Sequence, residues 1–252
     1  VTRKKVVITG SRGIAAGLAR ALSDRGDLVY LIGGEEEDSV RLQKECSGVI
    51  GLSAIDLRNE VDVEVAFSTA SSALEGVTDV VGIVGGSGRK FGDGSIETIS
   101  KDAWEATLDL NLGTAFLTSR EALKLFLKSG QGSVILTSSI LATSPAPEFF
   151  KTHAYATAKA AINGLVRTLS ASYAQQGIRI NAVAPGLVET PMAARAKANP
   201  EIVAFTKKKQ PFVGGQLSVD SVVAAYLYLI DNQFISGQVL QVDGGWSSVT
   251  NV

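Results

Sequence analysis

Seven short runs rich in β-branched residues recur along the 252-residue chain. They lie at 5–9 (KVVIT), 28–32 (LVYLI), 49–54 (VIGLSA), 78–84 (TDVVGIV), 133–137 (SVILT), 178–184 (IRINAVA) and 238–242 (QVLQV). Most lack apolar-polar alternation, the pattern of strands buried on both faces of a parallel sheet. Between them apolar residues recur at helical spacing. One stripe is Ile14, Leu18, Ala21 and Leu22, and another is Val63, Ala66, Phe67, Ala70 and Leu74. A third follows Ala158, Ile162, Leu165, Val166, Leu169 and Tyr173, and a fourth follows Val219, Val222, Val223, Tyr226, Leu227 and Ile230. The alternation predicts an α/β chain, a doubly wound sheet with right-handed crossovers and helices on both faces. No Pro- or Ser-rich linker and no repeat interrupts it, so a single domain over 1–252 is expected. In such sheets ligands sit beyond the carboxyl ends of the strands, and the loops there are expected to carry the chemistry.

Composition narrows the function classes. At 45% hydrophobic residues the chain can bury a sizeable core, and a net charge of −1 offers no global field for nucleic acid or an anionic membrane. Cys46 is the only cysteine, which excludes an internal disulfide and fits a reducing compartment. No apolar run approaches the ~20 residues of a membrane span. The opening VTRKKVVITG has too short an apolar part for a signal peptide, so a cytoplasmic location is expected. His153 is the only histidine, so no metal site is expected. The run Lys207-Lys208-Lys209 lacks interleaved aromatics and reads as solvation of a mobile segment, with no nucleic-acid contact.

TGSRGIAAG, at 9–17, joins the first strand run to the first helical stripe. Gly10 and Gly13 let the backbone approach a ligand closely, and the helix start presents free N–H groups to a pyrophosphate. The same residues also suit a plain strand-to-helix turn. Their place after the first strand favours a dinucleotide loop holding Gly10, Ser11, Arg12, Gly13 and Ile14. An acid that would bind a ribose 2′-hydroxyl is expected about 20 residues further on. Gly33 and Gly34 stand there, and the acids begin only at Glu35. That leaves room for a 2′-phosphate, which Arg12 could pair. Glu35, Glu36, Glu37 and Asp38 would repel such a phosphate if they face it, or would simply open a helix towards solvent. The balance favours NADP(H), with NAD(H) as the alternative.

Tyr155 and Lys159, in HAYATAKAAINGL, are four apart and share one helix face, about 5–6 Å apart at Cβ. A tyrosine of pKa about 10 is a poor proton shuttle at neutral pH, and an adjacent ammonium would favour its phenolate. Ser138 and Ser139 end the fifth strand run, where a substrate carbonyl would lie. Pro185-Gly186 in RINAVAPGLVETP makes a rigid turn, and ISGQVLQVDGGW closes the pattern. In this order the set resembles the short-chain dehydrogenase/reductase family, in its compact single-domain branch, from Lys5 to about Gly245. Within it the chain is similar to 3-oxoacyl-acyl-carrier-protein reductases.

The resemblance implies a Rossmann-type, three-layer fold with a seven-stranded, mostly parallel sheet. It implies hydride transfer between a nicotinamide dinucleotide and a carbonyl or secondary alcohol. Tyr155 would be the general acid/base. Lys159 would lower its pKa and bind the ribose hydroxyls, Ser139 would polarise the carbonyl, and Asn111 would hold a relay water. Ser138 is a rival to Ser139, because the loop SILATSPAPEFFKTHAY is some three residues longer than the family's. Asp56 would meet the adenine and Thr190 the carboxamide. Leu57, Gly34, Gly85, Gly86, Pro185, Gly186 and Val188 complete the expected cofactor contacts. Residues 191–215, with Met192, Ile202, Phe205, Phe212 and Val213, would form an apolar lid over a small-molecule substrate of low polarity. A homotetramer or homodimer packed through helices around 101–128 and 154–175 is expected.

Two motifs depart from the branch. Its T-G-x-x-x-G-x-G has become T-G-x-x-G-x-x-A, and N-N-A-G is replaced by Ile83-Val84-Gly85-Gly86, at an expected cost to stability. These changes keep open an alternative reading, a catalytically weak or inactive dinucleotide-binding sensor or scaffold.

Overall fold

A computed structural model describes residues 3–249 of the chain; the ends of the expected 1–252 domain lie outside them. The seven apolar runs become β1 (Lys5–Thr9), β2 (Leu28–Ile32), β3 (Val49–Ser53), β4 (Asp79–Gly82), β5 (Gly132–Thr137), β6 (Ile178–Pro185) and β7 (Val239–Val242). They form one sheet in the order β3-β2-β1-β4-β5-β6-β7, and every pairing is parallel. The expected β4 run stops short at Gly82, because the next two backbone N–H groups, of Ile83 and Val84, turn to the Thr9 hydroxyl.

The missing alternation now has its cause: successive residues of each strand feed different cores. Val6, Ile8, Val29 and Leu31 point to one face, under α1 (Ile14–Asp24), α2 (Glu36–Glu45) and α9 (Val219–Asp231). Val7, Tyr30 and Ile32 point to the other, under α3 (Glu60–Ala73), α5 (Thr114–Ser129) and α6 (His153–Tyr173). Before α5, α4 (Lys101–Leu108) runs into it through a single π-helical turn at Asp109–Gly113. Two short helices, α7 (Ala194–Ala198) and α8 (Pro200–Lys209), follow β6. Among the described residues no helix is long and apolar enough to cross a membrane.

The amino end of the sheet, away from the expected site, carries a cost. Asp79 opens β4 with 1% exposure, and neither carboxylate oxygen has a hydrogen-bond partner among the described residues. The Lys4 ammonium is 3.8 Å away. Burial pushes the Asp79 pKa up, and Lys4 opposes it only in part. A carboxyl whose folded pKa is raised stabilises the fold most below its unfolded value, and that stability is lost as pH rises through the folded value. Asp79→Asn removes the buried charge, so it is expected to stabilise the protein at neutral pH by about 1–2 kcal/mol. Thermal melts across pH check this: the gain in Tm should be largest at neutral pH and should vanish in acid. A loss of Tm at neutral pH would contradict it.

Candidate active site

The loop after β1 is shaped by backbone. Gly10 has φ +95° and donates its N–H to Ile32 O at 2.8 Å; a Cβ there would stand 3.3 Å from Val84. Gly13 has φ +52° and precedes α1; its Cβ would meet the Thr190 methyl at 3.0 Å. Ile14 opens the helix, half-buried against the core. Helices α3, α4, α8 and α9 start on capping side chains, Asn59, Ser100, Asn199 and Ser218. Helix α1 has no capping side chain and no acid in its first turn, which leaves its start open to an anion, although Ala15 N turns back to Arg12 O at 3.1 Å. Beside them the Ser11 hydroxyl is buried without a hydrogen-bond partner among the described residues. A Cβ on Gly34 would fall 2.5 Å from it. A cleft of about 720 Å³ opens here, bordered by Ser11, Arg12, Gly13, Asp38, Arg41 and Pro191. An orphaned hydroxyl, a glycine cradle and an uncapped helix fit a dinucleotide pyrophosphate.

At the end of β2 the four acids divide. Glu35, Glu36 and Glu37 are exposed, as a helix start would have them, but Asp38 is buried. Its carboxylate bridges Arg12 Nε and Arg41, one oxygen to each, and the Arg12 hydrogen bond chiefly holds its pKa below the usual range. Arg12 thus faces an acid already. Asp56 is clasped by Arg58, whose hydrogen bonds keep its pKa low, and it stays half exposed. Leu57, next to it, turns its side chain inward. It is 2% exposed and its Cδ1 lies where a Cβ on Gly33 would be 2.3 Å away, so it packs the core below the crevice.

At the carboxyl end of β5 the two serines separate. Ser138 donates to Lys159 O at 3.1 Å within the core. Ser139 stands close enough to the Tyr155 phenol to act on its pKa, and its hydroxyl accepts from Leu141 N at 3.2 Å. Lys159 is buried, donates from Nζ to Thr137 O at 2.8 Å, and stands 5.6 Å from the Tyr155 ring centre. One helical turn on α6 therefore brings phenol and amine together beside Ser139. The expected depression of the phenol's pKa is not what the chain's own groups produce. Burial pushes Tyr155 up, the neighbouring Ser139 opposes this, and burial lowers Lys159 to about 8. The chain alone thus holds the tyrosine as a proton-bearing phenol.

Asn111 sits in the π-helical turn with no exposure. Its Nδ2 donates to Thr107 O and Gly86 O, both at 2.9 Å, and its Oδ1 accepts from Gly86 N at 3.1 Å. The side-chain amide is therefore committed to the backbone of Gly86 and Thr107. It fixes the Gly85-Gly86 segment, where a Cβ on Gly85 would be 2.7 Å from Asn111 Oδ1 and 3.2 Å from Lys159 Nζ. Together with Thr9, it ties down the Ile83-Val84-Gly85-Gly86 segment that stands in place of N-N-A-G.

Pro185 ends β6, and Gly186 N donates to Val242 O at 2.8 Å. Val188 is buried and pairs with Leu217, which leads to Thr190 against Gly13. The expected lid is only partly apolar on its outside. Ile202 is buried, and Phe205 stacks between Phe149 and Trp246 at 5.0 and 5.5 Å. Met192, Phe212 and Val213 remain exposed.

Several residues of the site escaped sequence reasoning. Gln210 is fully buried and clamps Leu187 on both sides, at 2.6 and 3.1 Å. Asp93, from the loop after β4, accepts from Ala154 N and Tyr155 N at 3.1 and 3.0 Å and so seats the start of α6. Arg89 and Arg195 meet at Phe149 O. The only local signal, a GDG turn at 92–94, does not reveal the partner of Asp93.

Comparison with known proteins identifies the family and the fold. Residues 8–247 match the family model described as Enoyl-(Acyl carrier protein) reductase. The chain is 33% identical over 252 residues to 3beta-hydroxysteroid dehydrogenase 1 of Eggerthella lenta, covering 96% of this chain and 93% of that protein. It is 30% identical over 251 residues to the 3-oxoacyl-[acyl-carrier-protein] reductase FabG of Chlamydia muridarum, covering 97% of each. Among solved structures, a single-site variant of actinorhodin polyketide ketoreductase with NADPH superposes with a TM-score of 0.85 at 24% identity, over 98% of both chains. That likeness shows the shared fold.

Proposed function

The chain belongs to the short-chain dehydrogenase/reductase family, as an NAD(P)-dependent oxidoreductase acting on alcohol and carbonyl groups, and from that premise we propose that Tyr155 is its proton donor and acceptor. The observation that carries this reading is the meeting of Tyr155, Ser139 and Lys159 at the carboxyl end of β5. A bound nicotinamide dinucleotide supplies the hydride. In reduction, Tyr155 Oη gives its proton to the carbonyl oxygen while Ser139 Oγ donates a hydrogen bond to the same oxygen. The Lys159 ammonium stabilises the phenolate left behind. Asn111 acts through backbone, by holding Gly85-Gly86 against the lysine. Ser11, Gly10, Gly13 and the start of α1 receive the pyrophosphate, and Thr190 stands next to that loop. Reduction of a ketone and aldehyde panel with NADPH and NADH, followed by loss of dinucleotide absorbance, tests the reading. Dinucleotide binding without any turnover would favour the sensor or scaffold alternative.

NADP(H) is the proposed cofactor. A 2′-phosphate would compete with Asp38 for two guanidinium groups, Arg12 and Arg41, which together match its charge and fork geometry. Arg12→Ala is expected to weaken NADP binding about tenfold and NAD binding far less. Titration of protein fluorescence with each cofactor measures it; equal losses for both would argue for NAD(H). The related steroid and acyl-carrier-protein enzymes differ widely in substrate, so the substrate must be sought in the pocket itself. A cytoplasmic homotetramer or homodimer remains the proposed assembly, with sedimentation velocity as its check.

A further inference from the structure

Two arginines from different loops converge at the carboxyl ends of the strands. Arg89, after β4, and Arg195, in α7 after β6, both donate to one acceptor, Phe149 O, at 3.4 and 3.1 Å. Phe149 belongs to the loop after β5, six positions before Tyr155, and its ring rests on Phe205 of α8. The three loops that frame the proposed catalytic groups therefore meet at these two cations.

Their charges are poorly compensated. Among the described residues neither arginine makes an ion pair, and each uses an N–H group only on Phe149 O, out of the five a guanidinium carries. Asp93 is the acid that attracts Arg89, but both its oxygens are occupied by Ala154 N and Tyr155 N. Burial and the neighbouring Arg195 both push the Arg89 pKa down. If these side chains served only to latch the loop, a single neutral hydrogen-bonding group would do so without holding two like charges together. The remaining N–H groups of the two guanidinium groups have no partner among the described residues, and a carboxylate is the acceptor that a guanidinium fork binds bidentately.

We propose that Arg89 and Arg195 anchor a carboxylate on the substrate, so that the protein reduces oxocarboxylates, or oxidises the matching hydroxyacids, in preference to neutral ketones. This rests on the reading of Tyr155 as proton donor, and it replaces the low-polarity substrate that the lid's apolar residues suggested.

The test uses levulinate and its longer straight-chain homologues, each beside its methyl ester, with the full-length protein and its preferred cofactor. At the chain length that spans Tyr155 and the arginines, kcat/KM for the acid should exceed that for the ester by about tenfold or more. Arg195→Ala, at an exposed position, should collapse that acid-to-ester ratio towards one, and Arg89→Lys should reduce it. A thermal melt of each variant guards against misfolding. A latch alone would lower acid and ester together and leave their ratio intact, which would overturn the proposal. Parity across the whole panel in the unaltered protein would overturn it too, while leaving the role of Tyr155 standing. No turnover of either member of any pair, in protein that still binds dinucleotide, would defeat the parent reading and this one with it.

Discussion

Replacing Tyr155 with phenylalanine is expected to lower kcat for carbonyl reduction by about three orders of magnitude. The substitution deletes one oxygen from a half-buried ring, so α6 and the packing around it should hold. What disappears is the phenol beside Ser139, and with it the proton that the product alkoxide needs. Lys159 is no substitute, since its Nζ is committed to Thr137 O and lies below the ring. Dinucleotide affinity should change by less than about threefold, because the pyrophosphate end is built from Gly10, Ser11, Gly13 and the start of α1. Steady-state kinetics and a cofactor titration on the same preparation separate the two effects. A variant that retains a tenth of wild-type kcat would remove Tyr155 from the mechanism. Equal loss of turnover and cofactor affinity would make it a binding residue instead.

The main features of this site could be read before the fold was known, and for a physical reason. Tyr155 and Lys159 communicate through one helical turn, a distance that sequence spacing reports directly. The strand runs were legible because residues buried on both faces leave no polar alternation, and the bounds of β1 and β2 came out as read. Contacts between loops were not legible. Asp93 seats a helix 61 and 62 positions away, and Arg89 meets Phe149 across 60. No local pattern encodes such a partner. The burial of Asp38 and Leu57 was illegible for a related reason: one acid among four, or one leucine beside an aspartate, turns inward only because of what packs against it. The choice between Ser138 and Ser139 likewise needed the third dimension, since adjacent residues on an extended segment point opposite ways.

Gly17→Val is expected to destabilise the protein by about 3 kcal/mol, through overpacking between α1 and α9. A Cβ at position 17 would lie 2.4 Å from Val219 Cγ1 and 3.2 Å from Val223 Cγ2, far inside contact distance. Neither valine can yield easily, since both are short, branched and anchored on a helix that closes one whole core. At this chain length the loss corresponds to a fall in Tm of roughly 6–12 °C. Val219→Ala in the same chain should restore more than half of it, because the clashing methyl is gone. That double variant also decides what the third glycine of TGSRGIAAG is for. Gly17 borders the cleft, but its missing side chain faces α9, not the phosphate end. The rescued protein should therefore bind dinucleotide within about twofold of wild type. Recovered stability with binding still lost would place Gly17 among the residues that touch the cofactor. The expected result makes Gly10 and Gly13 the phosphate-facing pair, and it explains how a glycine loop one residue short can still serve.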